Sequence, residues 1–393
     1  MGAENTWPIW AVMVMGVALC VWLEGRYRWA ARMSGPVLLL AVGMALSNLR
    51  VLPADCAAYG IVEDYLVPVA IPLLLFRANL GRILRETGPM FLAFHVSALG
   101  TVLGAFLAAG LFHGSFQSWP QVTGIMTGSY IGGGVNFVGV RNTYQVSADL
   151  ANPLLVADNF IMAGMFALLL VMAGSRFLRR LYPHPHSLAG DQTDVRALAA
   201  EHWRRKEVGL ADIAQALAIA FAVTAAAMLL SGWLKGRTDS RFLQSLVGSP
   251  FVFITLFTVA AATAWHRWLD QIRGAEELGV YLLYLFFLVI GLRADLLAVI
   301  REVPVLFAFC LVMAGTNLVF TLLAGRLLRL NLEDLLLSVN ATLGGAPSAA
   351  AMAVSLGWSK LILPGMLVAI WGYVIGTLVG IAVAETLISL SNR

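Results

Sequence analysis

The stretch GIMTGSYIGGGVNFVGV, residues 124–140, lies in the middle of a very apolar chain. Three consecutive glycines, Gly132, Gly133 and Gly134, followed by Asn136, stand where a continuous membrane helix would otherwise run. A second stretch, VNATLGGAPSAAAMAV, residues 339–354, places Gly344, Gly345, Pro347 and Ser348 in the same kind of setting. How these two interruptions are read decides the fold.

The solvent for which the chain is made follows from its bulk. Its 393 residues are 60% hydrophobic and 12% charged, against roughly 25% charged in an average soluble domain. Apolar segments recur near residues 7–23, 35–49, 61–80, 88–112 and 152–174, and again near 210–232, 246–265, 277–292, 303–325 and 362–388. A helix needs about 20 such residues to cross the hydrocarbon layer, so this is an all-α polytopic membrane protein. The net charge of +4 is no signal for nucleic acid, because the arginines are scattered over short loops where they serve membrane orientation. Cys20, Cys56 and Cys310 have no metal-ligand spacing and form no obvious pair.

The two sets of segments share one plan. RANLGRILRETGPMFLAF, from Arg77, aligns without gaps on RADLLAVIREVPVLFAFC, from Arg293, matching Arg77, Ala78, Leu80, Arg85, Glu86 and Phe91 with Arg293, Ala294, Leu296, Arg301, Glu302 and Phe307. A small shift of the same alignment sets Gly132 and Gly133 opposite Gly344 and Gly345. Weak internal similarity of this kind marks transporters built from repeats. The expected division is a first membrane repeat over 1–175, a basic linker over 176–207 and a second membrane repeat over 208–393.

Lys and Arg favour the cytoplasmic side of membrane proteins. With the N-terminus outside, five spans in each half, and each glycine-rich stretch dipping in and returning to its own side, Arg26, Arg28, Arg32, Arg77, Arg82, Arg85 and the basic linker are all cytoplasmic. Full crossing by both stretches would move the linker outside and erase the bias. Five spans is an odd number, so the repeats are expected to be inverted. Charge does not distinguish a re-entrant hairpin from a broken helix, and both stand as expectations.

Unpaired backbone groups in lipid cost several kcal/mol each, so an interrupted helix is tolerated only inside protein or beside a watery cavity. Its free amides then attract anions and its free carbonyls coordinate cations. The expected substrate-binding residues are therefore Gly132, Gly133, Gly134, Asn136, Gly344, Gly345 and Ser348, with Thr127, Ser129, Tyr130, Asn340 and Thr342 around them as hydrogen-bonding groups. Close helix packing is the competing use of such glycines. Ionisable groups inside spans are functional suspects: Asp158, with Asn159 beside it, is the expected ion-coupling pair. His95 and Asn317 read more simply as hydrogen bonds between helices, Glu385 reads as solvated near a span end, and YPHPHS, residues 182–187, offers no further metal ligand.

The patterns TGSYIGGGVNFVGV, NATLGGAPSAAAMAV and FRANLGRILR together resemble the bacterial membrane family known as domain of unknown function 819, over nearly the whole chain. That family is grouped with cation/proton antiporters and with bile acid/sodium, sodium/glutamate and 2-hydroxycarboxylate symporters. The resemblance implies inverted repeats, a mobile core carrying the two breaks, a scaffold that often dimerises, elevator-like alternating access, and a bacterial inner membrane. The chain departs from the antiporters in having no paired acidic or Asn-Asp motif in a core span beyond Asp158 and Asn159.

The expected function is a secondary transporter of a small organic anion or zwitterion, coupled to Na+, working in the bilayer as a homodimer, with no cofactor and no nucleic-acid partner. The alternatives are a monovalent cation/proton antiporter using Asp158 and a non-transporting receptor acting through the linker. An enzyme is not expected, because no metal set or nucleophile pair lies at membrane depth.

Overall fold

The structure is a computed structural model that describes residues 6–27, 35–53, 55–116, 118–188, 207–235, 237, 241–293 and 296–391. Arg28, Arg32, Ala294 and residues 189–206 of the expected basic linker lie outside the described residues, as do the side chains of Arg301 and Glu302. Among the described residues every regular element is helical. In the first half these are α1 (Thr6–Arg26), α2 (Gly35–Asn48), α3 (Ala57–Leu75), α4 (Leu80–Glu86), α5 (Pro89–Phe112), α6 (Trp119–Tyr144) and α7 (Ala148–Ala173). After the short α8 (Arg176–Leu181) come α9 (Leu210–Leu234), α10 (Arg241–Val247), α11 (Pro250–Ala264), α12 (Ala275–Leu292), α13 (Leu296–Leu327), α14 (Leu332–Ser355) and α15 (Ile362–Ser391).

Nine of the described helices are long and apolar enough to cross a membrane, α14 among them. With α14 set aside, the other eight and the two shorter apolar helices, α2 and α11, are the ten segments marked by hydropathy. One boundary moved. The third segment, expected over 61–80, runs over Ala57–Leu75, because Glu63 and Asp64 continue the helix through a π-turn over Val62–Leu66, and Asn79 caps the separate α4 by accepting from the Arg82 amide at 3.2 Å.

The glycine-rich stretches resolve as hairpins. Within α6 the chain leaves helical geometry at Gly132 and Gly133, the latter with φ 67° and ψ −166°. Beyond this turn Val140 packs back against Gly128, twelve residues earlier and about 18 Å away had the helix run on at 1.5 Å per residue. Within α14 the turn is Gly345, φ 75° and ψ −170°, and Leu337 and Ala349 both flank Gly365. This backbone region is open essentially to glycine alone. It explains why each break carries a glycine at the equivalent position.

Both hairpins pack on α15. The first opens beside its C-terminal part, where the Tyr144 hydroxyl donates to Glu385 at 2.9 Å. The second opens at the start of α15, beside Gly365, and its first amide, on Leu332, donates to the linker carbonyl of Pro183 at 2.8 Å. The tips therefore approach from opposite ends of α15 and meet at Gly372 and Tyr373 in its middle. Helices α5, α7 and α13 complete the bundle around them, while α1, α2, α3, α9, α11 and α12 pack chiefly on one another.

Candidate functional site

At the meeting of the tips lies a cavity of about 270 Å³. Gly134 and Val135 line it from the first hairpin, and Gly344, Ala346 and Pro347 from the second. Phe287, Tyr284 and Leu283 of α12, with Leu73 and Leu74 of α3, form the facing wall. Its lining continues to Arg77, Glu276 and Glu277, on the side where Val208, the residue that follows the linker, packs against Gly274.

Each returning limb begins at this cavity, so the N-termini of two half-helices meet there. Such N-terminal amides are unsatisfied within the helix and carry its positive end. In the second hairpin the amide of Ala346 donates to the Tyr373 hydroxyl at 3.0 Å, and Pro347 opens the limb at a position where a missing N–H costs nothing. The Ser348 hydroxyl donates to Gly345 O at 3.0 Å, closing the turn. Tyr373 is the residue sequence reading missed: a single phenol in a long apolar run, it touches Gly133 and Gly345 and lines the cavity.

Of the residues expected to bind solute, Gly134 and Gly344 line the cavity. Gly132 and Gly133 form the first turn and Gly345 the second, with Ser348 behind it. Asn136 faces α15 instead. It donates to Gly132 O at 2.8 Å and accepts from the Thr377 amide at 2.9 Å and the Thr377 hydroxyl at 2.7 Å, so both ends of its amide serve the hairpin. Thr127 donates to Thr123 O within its own limb. Thr342 joins Ser97, Thr101, Asn317 and Thr321 in a buried hydrogen-bonded cluster where α5 crosses α13. Asn340, one turn before the second tip, is buried with its Nδ2 unpartnered.

Asp158 stands apart from the cavity. It is buried, on α7, and accepts from the Ser129 hydroxyl at 2.9 Å. The Tyr130 hydroxyl lies beside the same buried carboxylate, and Cys310 of α13 packs next to them. Among the described residues no Lys, Arg or His pairs with this carboxylate. Asn159 points elsewhere, donating to Leu155 O at 2.8 Å. Ser129 and Tyr130 thus belong with Asp158 rather than with the solute cavity.

Two secondary readings are settled by geometry. His95 holds two helices together, its Nδ1 bonded to Phe91 O at 2.7 Å and its Nε2 accepting from the Trp371 indole at 3.1 Å. Glu385 is not solvated, as its place near a span end had led us to expect. The outer end of the first hairpin and α10 fold over it, so that Tyr144 and Ser245 donate to it at 2.9 and 2.6 Å.

The fold and this site define a multi-pass integral membrane protein with two glycine-tipped helical hairpins meeting inside a helix bundle. The chain belongs to the family described as protein of unknown function DUF819, which matches residues 11–390. It is similar to an uncharacterized membrane protein, YjcL, of Bacillus subtilis strain 168, at 37% identity over 380 residues and 96% of each chain.

Proposed function

We propose that this protein is a secondary transporter that carries a small organic anion or zwitterion across the bacterial inner membrane by alternating access. The observation that carries the reading is the convergence of two hairpin tips on one cavity at the middle of α15. Non-helical backbone deep in a membrane protein is tolerated where it lines a cavity, and opposed half-helices at the midplane are the usual binding place of secondary carriers. Hairpins that open toward opposite ends of α15 support inverted repeats over 1–175 and 208–393. The basic linker marks the cytoplasmic side, so the cavity faces the cytoplasm in this conformation. Na+ is the proposed coupling ion and a homodimer the proposed assembly.

A thermal-shift screen of purified protein against Na+, Li+, K+, dicarboxylates, keto acids and amino acids tests this, since a ligand of the folded state raises the melting temperature by mass action. Sodium-dependent stabilisation by one organic solute is the expected result. The second reading is a monovalent cation/proton antiporter. It is favoured by Asp158, a buried carboxylate set among hydroxyls with no Lys, Arg or His paired to it among the described residues, since such a charge needs a proton or a metal ion for company. Stabilisation by cations alone, lost in Asp158→Asn, would replace the first reading by the second.

A further inference from the structure

The end of the molecule opposite the cavity holds a second, wider opening of about 820 Å³, lined by Glu63, Asp64, Arg141 and Arg293 among others. It does not reach the hairpin tips. Consecutive residues of α12 separate the two spaces: Phe287 faces the inner cavity, while Phe286 lies under the Arg141 guanidinium, 5.6 Å from the ring centre. Above this partition sits an ionic cluster. Arg141 Nη1 donates to Glu63 Oε1 at 2.9 Å, Arg293 Nη1 donates to Glu63 Oε2, and Arg293 Nη2 donates to Asp55 at 2.9 Å.

These bonds differ in what they join. Asp55, Glu63 and Arg293 all belong to α3, its leading loop and the end of α12, which pack on one another. Arg141 belongs to the first hairpin and is fixed in that frame, its Nε donating to Val146 O at 2.9 Å and its Nη1 also to Asn142 at 3.1 Å. Among the described residues, Arg141–Glu63 is the ion pair that bridges the hairpin to the other helix group. Its side chains are only 10% and 16% exposed, so solvent does not screen it as it would a surface pair. Partly buried pairs contribute little net stability against apolar replacements, and holding one arrangement over another is their best-attested use. The π-turn over Val62–Leu66 places Glu63 in this position, and such turns recur at functional sites.

We propose that Glu63 and Arg141 form an outer latch that holds the carrier closed to the outside and open to the cytoplasm. Opening the outer path requires the first hairpin to withdraw Arg141 from Glu63 and from the face of Phe286. This rests on the alternating-access reading, and the test separates the two.

Gly134→Cys supplies a reporter at the cavity, because the new Cβ meets only Phe287 at an ordinary 3.6 Å; Cys20, Cys56 and Cys310 are buried and remain in the background. A membrane-impermeant maleimide is applied to right-side-out and inside-out vesicles. The latch predicts that Glu63→Gln raises labelling from the outside by about tenfold, the weight of one hydrogen bond to a charged group, while labelling from the cytoplasmic side falls. Arg141→Gln should raise outside labelling less in the Glu63→Gln background than in the parent background, since only its contact with Phe286 is left to lose, and Asp55→Asn, which acts within one body, should match the parent. Outside labelling in the parent that Glu63→Gln leaves unchanged would overturn the latch and leave alternating access standing. No outside labelling in the parent or any variant, with normal labelling from the cytoplasmic side, would overturn both.

Discussion

The descending limb of the first hairpin lays Gly124, Gly128 and Gly132 against Gly380, Gly376 and Gly372 of α15, backbone on backbone, whereas the second hairpin packs on the same helix through side chains, Leu337 and Ala349 beside Gly365, and at its tip meets the phenol of Tyr373. Both tips use a glycine in the same rare conformation, so the difference lies in the fastening. Spacing by four on both partners is the small-residue pattern that lets membrane helices approach closely. A limb held along its whole length moves with α15 as one unit. A tip held by one hydroxyl has more freedom to rearrange around a solute. The comparison places the rigid wall of the cavity on the first hairpin and its adjustable wall on the second.

The largest effect should come from filling the seam. In Gly372→Ala the new methyl would run into the carbonyl of Ile131, and backbone cannot step aside as a side chain can. We expect a loss of about 3 kcal/mol, the upper part of the usual overpacking range, read as a fall in the thermal unfolding midpoint of detergent-purified protein. Gly344→Ala in the second hairpin meets the Ser348 side chain instead and should cost about 1 kcal/mol. Equal losses would abolish the distinction between the walls.

Asn136→Ala comes next. It leaves the Thr377 amide and hydroxyl without the acceptor they share, and a buried unsatisfied group costs roughly 1–3 kcal/mol. On sequence alone this substitution is expected to lower solute affinity without unfolding the protein. The geometry changes that expectation to a loss of stability of about 2 kcal/mol, with solute affinity following only as the hairpin loosens. An unchanged melting temperature with weakened binding would return Asn136 to the cavity and reverse the point.

What was legible in the sequence was whatever obeys a local rule. Hydropathy marked all ten segments, and paired glycines in an apolar context marked both turns, because only glycine takes the required φ and ψ. The competing use of those glycines, close packing, is also present: Gly124, Gly128 and Gly132 pack, while Gly133 turns. Their partners Gly372, Gly376 and Gly380 have the same spacing, and that repeat was the available signal for which helix the hairpin embraces. Tyr373 carried none, since nothing local distinguishes a tyrosine that caps a distant amide from one at a lipid interface. Glu63 meets Arg141 and Arg293 across 78 and 230 residues, a separation over which no spacing rule operates.

The smallest effect is the most discriminating. Tyr373→Phe keeps the ring against Gly133 and Gly345 and removes only the oxygen that accepts from the Ala346 amide. Stability should fall by about 1 kcal/mol, the net worth of one hydrogen bond, because the freed amide faces a cavity of about 270 Å³, roomy enough for a water to accept from it. The consequence for binding has the opposite sign. With its own acceptor gone, the first amide of the second returning limb is open to a carboxylate, so an anionic solute found in the thermal-shift screen should bind Tyr373→Phe at least as tightly as the parent, measured by calorimetric titration. A solute that instead needs the hydroxyl should bind several-fold more weakly, as loss of a single hydrogen bond implies. The first result makes Tyr373 a placeholder that the solute displaces, and the second hairpin the wall that adjusts. The second result makes Tyr373 a ligand, with both walls fixed before the solute arrives.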